Sequence, residues 1–359
     1  MRTLTLTVAV IVVLAVTSSA TAAAATIHVH RGQSIQAAVN SADPGDTIVL
    51  DRGRYFQTVF IGRPGLTLRG AGSGPHGTVL RQPKSSNNPC SDPSTGEVSG
   101  ICGGGIDLTT GQPGKPLRGT TIVGIRVRGF SGDGIVFFNT THTTVRRSAS
   151  VDNAGYGITS FVGHDTRFIG NLAVGDHEAG FYVGDSPRAN VRLIGNRAIG
   201  NEPFGFLHRD SSFGVDIGNV ARDNCVGSVY LDADFGPAPT RFWVARHNRY
   251  IANNRGCPAG EDAGPTPVSG IGVAIIGAQH VRLIGNVARA NVPSLAGALA
   301  GGIVLRSGAA FGTGDANNNL IARNLAHRNM PADIVWDGTG TNNHLRHNRC
   351  DTSQPSGLC

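Results

Sequence analysis

Gly170-Asn171-Leu172-Ala173-Val174-Gly175-Asp176 is the stretch that decides the fold, because the chain repeats it. It returns as Gly195-Asn196-Arg197-Ala198-Ile199, Gly218-Asn219-Val220-Ala221-Arg222 and Gly285-Asn286-Val287-Ala288-Arg289. Looser copies begin at His247-Asn248, Arg323-Asn324 and His347-Asn348. Five residues past each first asparagine stands a second polar residue: Asp176, Asn201, Asn224, Asn253, Asn291 and Asn329. A second phrase, glycine then an apolar residue, alternates with the first. Gly134-Ile135, Gly157-Ile158, Gly180-Phe181 and Gly205-Phe206 lead to Gly227, at steps of 23, 23, 25 and 22 residues. Gly272-Val273 and Gly302-Ile303 follow at wider intervals, which imply insertions.

A unit of this length, holding short period-2 strands between Gly and Asn turns, cannot bury its own apolar face. Units stacked side by side bury a continuous core, and asparagines at one station then bond coil to coil as a ladder. The expected fold is all-β, a parallel β-helix solenoid of about nine coils. Ser34-Ile35-Gln36-Ala37-Ala38-Val39 reads as a short amphipathic helix. Asp46-Thr47-Ile48-Val49-Leu50 and Leu66-Thr67-Leu68-Arg69 read as opening strands. With these features the chain resembles the right-handed parallel β-helix proteins of the pectin-lyase-like superfamily, in which such a helix caps the open end of the rod. The expected domain runs over 26–359, with 26–70 as cap and first strands and 82–118 and 255–268 as inserted loops.

Composition agrees. Glycine, 51 of 359 residues, is about twice its usual share, without the every-third period of collagen. Only 15% of residues are charged, too few for a coiled coil, while evenly spread Val, Ile and Leu argue against disorder. The net charge is +7 and nearly all the base is arginine, the lysines being Lys84 and Lys115. Such a balance favours polyanionic partners in general. No basic run interleaves with aromatics, so nucleic acid is not an expected partner. Arg2, the apolar Leu4 to Val16 and the small residues through Ala25 form a secretory leader over 1–25, too short to span a bilayer. The expected product is a secreted, capped monomer without a membrane span. Six cysteines suit an oxidising destination and allow 15 pairings. Pairing by proximity gives Cys90 with Cys102, Cys225 with Cys257, and Cys350 with Cys359.

Counting from each repeat glycine places the first and third residues inward and the second and fourth outward. Tyr182, Phe161 and Arg209 are then outward and His208 inward. The fifth station reads Asn139, Val162, Asp185, Asp210 and Asp232. Three carboxylates about 5 Å apart share a proton, hold a cation such as Ca²⁺, or are neutralised by arginine. Arg209, Asp210 and His208 are the candidate catalytic residues, with Asp185, Asp210 and Asp232 as the candidate calcium site. Tyr182, Phe161, His164 and Asp165 are candidate substrate contacts. The layout from Tyr156-Gly157-Ile158 to Gly205-Phe206 is similar to alginate C5-epimerases, although Thr159-Ser160-Phe161 stands where those carry Asp-Pro-His. The signatures of polygalacturonases and pectate lyases are absent. Two methionines are too few for a copper carrier. The sequence therefore points to a carbohydrate-active protein on acidic polysaccharide, with uronate lyase or C5-epimerase chemistry, and leaves open a non-catalytic rod that binds glycan or cell-wall polymer.

Overall fold

The computed structural model describes residues 23–105, 114–260 and 263–359. The expected leader, apart from its last three residues, and parts of both expected inserts lie outside the described residues. Parallel strands stack coil on coil around three faces. Sheet one contains Ile135–Phe138, Ile158–Phe161, Ala179–Ser186, Phe204–Ile217, Val226–Leu231, Val268–Ile276 and Leu299–Arg306. Sheet two contains Thr144–Arg146, Arg167–Ile169, Val191–Ile194, Arg241–Arg246, Arg282–Ile284, Leu320–Ala322 and His344–Arg346. Sheet three runs through Leu172–Val174, Arg197–Ile199, Val220–Arg222, Arg249–Ile251 and Val287–Arg289. The 14-residue strand Phe204–Ile217 turns the corner between sheets one and two and pairs in both, which joins them into one 23-stranded sheet. Sheet three has ten strands among the described residues, in line with a solenoid of about nine coils.

The phrase follows from the corner between sheets two and three. Gly170, Gly195, Gly218 and Gly285 sit there at φ of 62 to 65°, the left-handed region that glycine enters without strain. The asparagine after each glycine turns into the core. Asn196 is fully buried yet satisfied on every side. Its amide donates to Asn219 Oδ1 at 3.1 Å and to the Phe168 carbonyl at 2.8 Å, and its Oδ1 accepts from the backbone and side chain of Asn171. The ladder continues through Asn248, Asn286, Asn324 and Asn348. A second runs through Asn153, Asp176, Asn201, Asn224, Asn253, Asn291 and Asn329. The repeat glycine of sheet one answers to this second ladder. A Cβ on Gly205 would lie 2.5 Å from the Gly227 carbonyl oxygen and 2.9 Å from the Asn224 amide nitrogen.

Between the ladders lies one apolar column, with Ala173, Ala198 and Ala221 in register and Phe181 stacked on Phe206 at 4.9 Å. The helix Ile35–Ser41, capped by Ser34 Oγ on the Ala37 N–H, turns Ile35, Ala38 and Val39 into the first coil as expected. The three disulfides join Cys90 to Cys102, Cys225 to Cys257 and Cys350 to Cys359. No helix among the described residues is long and apolar enough to cross a membrane.

Asp176 is a carboxylate set between asparagines of the second ladder, whose last asparagine, Asn329, donates to Asp333 at the end of the line. Asp176 Oδ1 accepts from Ser150 and Asn153, while Oδ2 is buried without a partner. Burial raises its pKa to about 7. The folded state thus holds a proton that the unfolded chain releases near pH 4, so Asp176 lowers stability as pH climbs from about 4 to 7. Asp176→Asn replaces Oδ2 with an amide that can donate to Asn201, completing the ladder. Its melting temperature should exceed the parent's at pH 8, and the gap should close toward pH 4. A gap independent of pH, read by calorimetry, overturns this assignment.

Candidate active site

Inward alternation holds along sheet one: Phe137, Ser160, Val183, His208 and Tyr230 are all buried. His208 is consequently a core residue, which corrects its candidacy for catalysis. Its ring stacks on Tyr230 at 4.5 Å and meets the Trp243 edge at 4.3 Å. Nδ1 donates to the Val229 carbonyl at 3.0 Å, and Nε2 lies 3.1 Å from Asp216 Oδ2, which also accepts from the Tyr230 hydroxyl. Asp216 and His208 thus form a paired polar plug inside the rod.

Outward residues of sheet one depart from expectation. Tyr182, Leu207, Val229, Ala274 and Val304 point away from the core yet are buried. A second apolar layer covers them, built from Ala263 and Val268 of the 255–268 insert, Phe204, and Phe311 beyond the next strand. Cys225–Cys257 ties the insert to the coil it covers. Tyr182 is therefore no open sugar platform. Tyr156 stacks on it at 4.7 Å, Phe161 meets it edge-on at 4.8 Å, and a Cβ at Gly184 would strike its ring. Phe161 stays half-exposed at the edge of this trio.

The fifth station is real. Asp185, Asp210 and Asp232 fall in register through Gly184–Arg209 and Arg209–Leu231. Asp210, however, is fully buried and clamps a turn, accepting from the N–H groups of Ala233 at 2.9 Å and of Phe235 and Gly236 at 3.0 Å. Asp232 has its pKa raised to about 6, by burial first and then by the charges of Asp210 and Asp234 and a hydrogen bond with Asp210. Among the described residues no three His, Cys, Asp or Glu side chains are placed to hold a metal. Asp210 thus fits neither a catalytic acid nor a calcium ligand, since both its oxygens are taken by backbone. His164 and Asp165 lie elsewhere, at the corner leading to sheet two. There Asp165 pairs with His164 at 3.0 Å and His142 at 3.3 Å and accepts from Asn190.

Arg209 alone among the candidate catalytic residues reaches a cavity, one of about 450 Å³ on the outer side of sheet one. Phe204, Leu207, Leu231, Phe235 and Phe311 give it apolar wall, and among the described residues Tyr156, Glu178 and Arg209 bring polar side chains. The guanidinium carbon sits 5.3 Å from the Tyr182 ring centre and 5.2 Å from that of Phe235. Burial works against its charge, but Tyr182, Tyr156, Asp185 and Asp210 around it outweigh burial and raise its pKa. Burial likewise raises the Tyr156 hydroxyl, helped by the charge of Glu178 and a hydrogen bond to it. Asp185 is raised by burial, against the pull of Arg209. A fixed cation, a protonated phenol and a carboxylate thus converge in an apolar recess, the usual make-up of a ligand site. Tyr156 and Glu178 are absent from the candidate residues. Their one sequence signal is position, each lying just before a repeat glycine, at Gly157 and Gly180, on adjacent coils.

The family model described as the right handed beta helix region matches residues 85–226. No curated protein matches by sequence. Among solved structures, the mannuronan C-5 epimerase AlgE6 A-module of Azotobacter vinelandii superposes with a TM-score of 0.60 at 20% identity, over 89% of this chain and 93% of that one. The periplasmic alginate epimerase AlgG gives 0.56 at 13% identity, over 90% and 83%. The DFA-IIIase of Arthrobacter chlorophenolicus A6 gives 0.51 at 13%, over 87% and 89%. At these identities the likeness is one of fold, and the fold is the right-handed parallel β-helix.

Two neighbouring residues should separate cleanly. His208→Ala removes a fully buried ring packed against Tyr230 and Trp243, leaves a cavity beside Asp216, and should lower stability by about 3–5 kcal/mol. Arg209→Ala forfeits two ring contacts and should stay within about 2 kcal/mol of the parent. Denaturant unfolding of both variants measures this. Equal losses would show that Arg209 holds the fold.

Proposed function

We propose that the chain is an exported carbohydrate-active enzyme that removes the proton α to the carboxylate of a uronate in an acidic polysaccharide, as uronate lyases and C5-epimerases do. The observation that carries this is the set of three polar groups in the apolar recess: Arg209, Tyr156 and Glu178. Arg209 has the fork of donors that pairs a carboxylate bidentately, and its charge is held by the rings and carboxylates around it. Bound there, the substrate carboxylate has its negative charge offset, so the electrons left by the departing proton are stabilised as an enolate. Glu178 is the proton acceptor. Tyr156, kept protonated by burial and bonded to Glu178, is the donor. Because the phenol is bonded to Glu178, both groups stand on one side of a bound sugar, which suits elimination: the C4–O bond breaks, the phenol's proton goes to the leaving oxygen and an unsaturated uronate remains. For an epimer the proton must come from the opposite face, from a donor other than Tyr156. The apolar walls exclude water and strengthen each charge interaction. No step requires calcium.

Support for export comes from the leader-like start and from three closed disulfides, which suit an oxidising compartment. The named epimerases of the same fold support the substrate class.

The test is exchange of the uronate α-proton in D₂O, read by NMR, together with ultraviolet absorbance of unsaturated products. Alginate, pectate and glycosaminoglycans are the substrates, with chelator present throughout. Exchange or absorbance should appear on one polymer and fall by about 10²-fold or more in Arg209→Ala and Tyr156→Phe. Binding without either signal would leave the non-catalytic glycan-binding rod as the function.

A further inference from the structure

The outer face of sheet two carries a charge pattern that the recess does not use. In each of its strands the middle residue points inward (Phe168, Leu193, Ala245, Leu283 and Ile321 are all buried), so the residues on either side face solvent. Arg167 and Arg192 stand opposite each other on adjacent coils. Val215 and Val244 follow in that column before Arg282 returns to it three coils on. Arg246 and Arg346 stand in the column two residues along, with Arg323 at the corner behind it, and all six are exposed. Among the described residues none of the six forms an ion pair. The only acidic residue within the sheet-two strands is Asp216, which points into the core. Sheet three differs, because its border mixes signs: Arg128 meets Asp152 at 2.8 Å and Arg222 meets Asp223 at 3.5 Å.

Like charges in register on neighbouring strands oppose one another, so the row is uncompensated within the chain. Near its end the row becomes concave. Arg282, Arg323, Arg346 and His347 surround a groove of about 400 Å³ whose floor is Ile284, Leu320 and Ala322, with no carboxylate in its lining. Cations around an apolar floor suit a pyranose ring, whose C–H face rests on the floor while its carboxylate turns to a guanidinium fork.

We propose that this face is a second, non-catalytic binding strip for a linear carboxylated polysaccharide lying along the rod axis. Successive coils are about 4.8 Å apart. A polymer with one carboxylate on each sugar ring repeats at a similar interval, so its carboxylates can meet Arg167 and Arg192 on neighbouring coils and reach Arg282 three coils on. The strip does not rest on the chemistry of the recess, which opens on a different face.

The test measures affinity for polygalacturonate and polymannuronate as a function of salt. One variant replaces Arg167, Arg192, Arg282 and Arg346 by Gln. A control replaces Arg197, Arg222, Arg249 and Arg289 of sheet three by Gln, which removes the same charge. The strip variant should bind about tenfold or more weakly at low salt, with a shallower dependence of log Kd on log salt, while the control stays near the parent. Fully methyl-esterified pectin should not bind. The readout is binding and needs no turnover, so the strip can fail while the recess stays active and the recess can fail while the strip still binds, which separates this proposal from the catalytic one. The corresponding four Arg→Lys changes keep the charge and should keep most of the binding, a safeguard if the Gln variant folds poorly. Equal weakening in strip variant and control, or none in the strip variant, overturns the proposal. So does equally tight binding of single-stranded DNA, which would make the face a general polyanion surface.

Discussion

The hydrogen bond from one asparagine amide to the next, repeated along two buried lines, is the interaction on which the rest of this structure depends. It fixes more than stability. An amide donates to the coil ahead and accepts from the coil behind only when both backbones keep one spacing and one register. Every other residue of a coil must then lie directly over its counterpart. The left-handed corner at Gly170, Gly195 and Gly218 and the missing side chain at Gly205 are both concessions to that requirement. Where glycine is absent from the corner, as at His247 and Arg323, the backbone takes the same conformation anyway, at φ of 55 and 57°. The ladder thus outweighs the small preference of single residues.

Register turns each outer face into a ruler. On sheet two the ruler reads Arg167, Arg192, Val215, Val244 and Arg282; on sheet one it would read Tyr182, Leu207 and Val229, had the chain not covered them. The cover is the exception that builds the site. Between the Val226–Leu231 and Val268–Ile276 strands the chain leaves the repeat, folds over the outer side of sheet one, and leaves a recess where Arg209 emerges at its edge. Arg209 keeps an outward position without full exposure, which is the condition for a charge that is fixed in place and still able to meet a ligand.

Features of one coil were legible in the sequence, and features that depend on what packs over a coil were not. The spacing of Asn171, Asn196 and Asn219 shows the ladder because every rung obeys one local rule. Alternation within a strand correctly turns His208 inward and Arg209 outward, and nearest-neighbour pairing of the cysteines is correct because each bridge closes over a local excursion. Tyr182 is misjudged since alternation says which way a side chain points and not whether another segment lies on top. Asp210 keeps its station but not its role, because the turn around Gly236 has no repeat signature to announce three N–H groups aimed at one carboxylate. Tyr156 and Glu178 sit where coils enter sheet one, outside the alternating core of the strand, so no periodic count reaches them.

The bridge between Cys225 and Cys257 gives this design a temporal order. The coils need only their amides to wind, and amides are indifferent to redox state. The covering segment is fastened by a bond that forms only where thiols are oxidised. With the thiols reduced, the covering segment is held by its apolar contacts alone. With the bridge closed it is tied to the coil beneath, so the wall of the recess is fastened last.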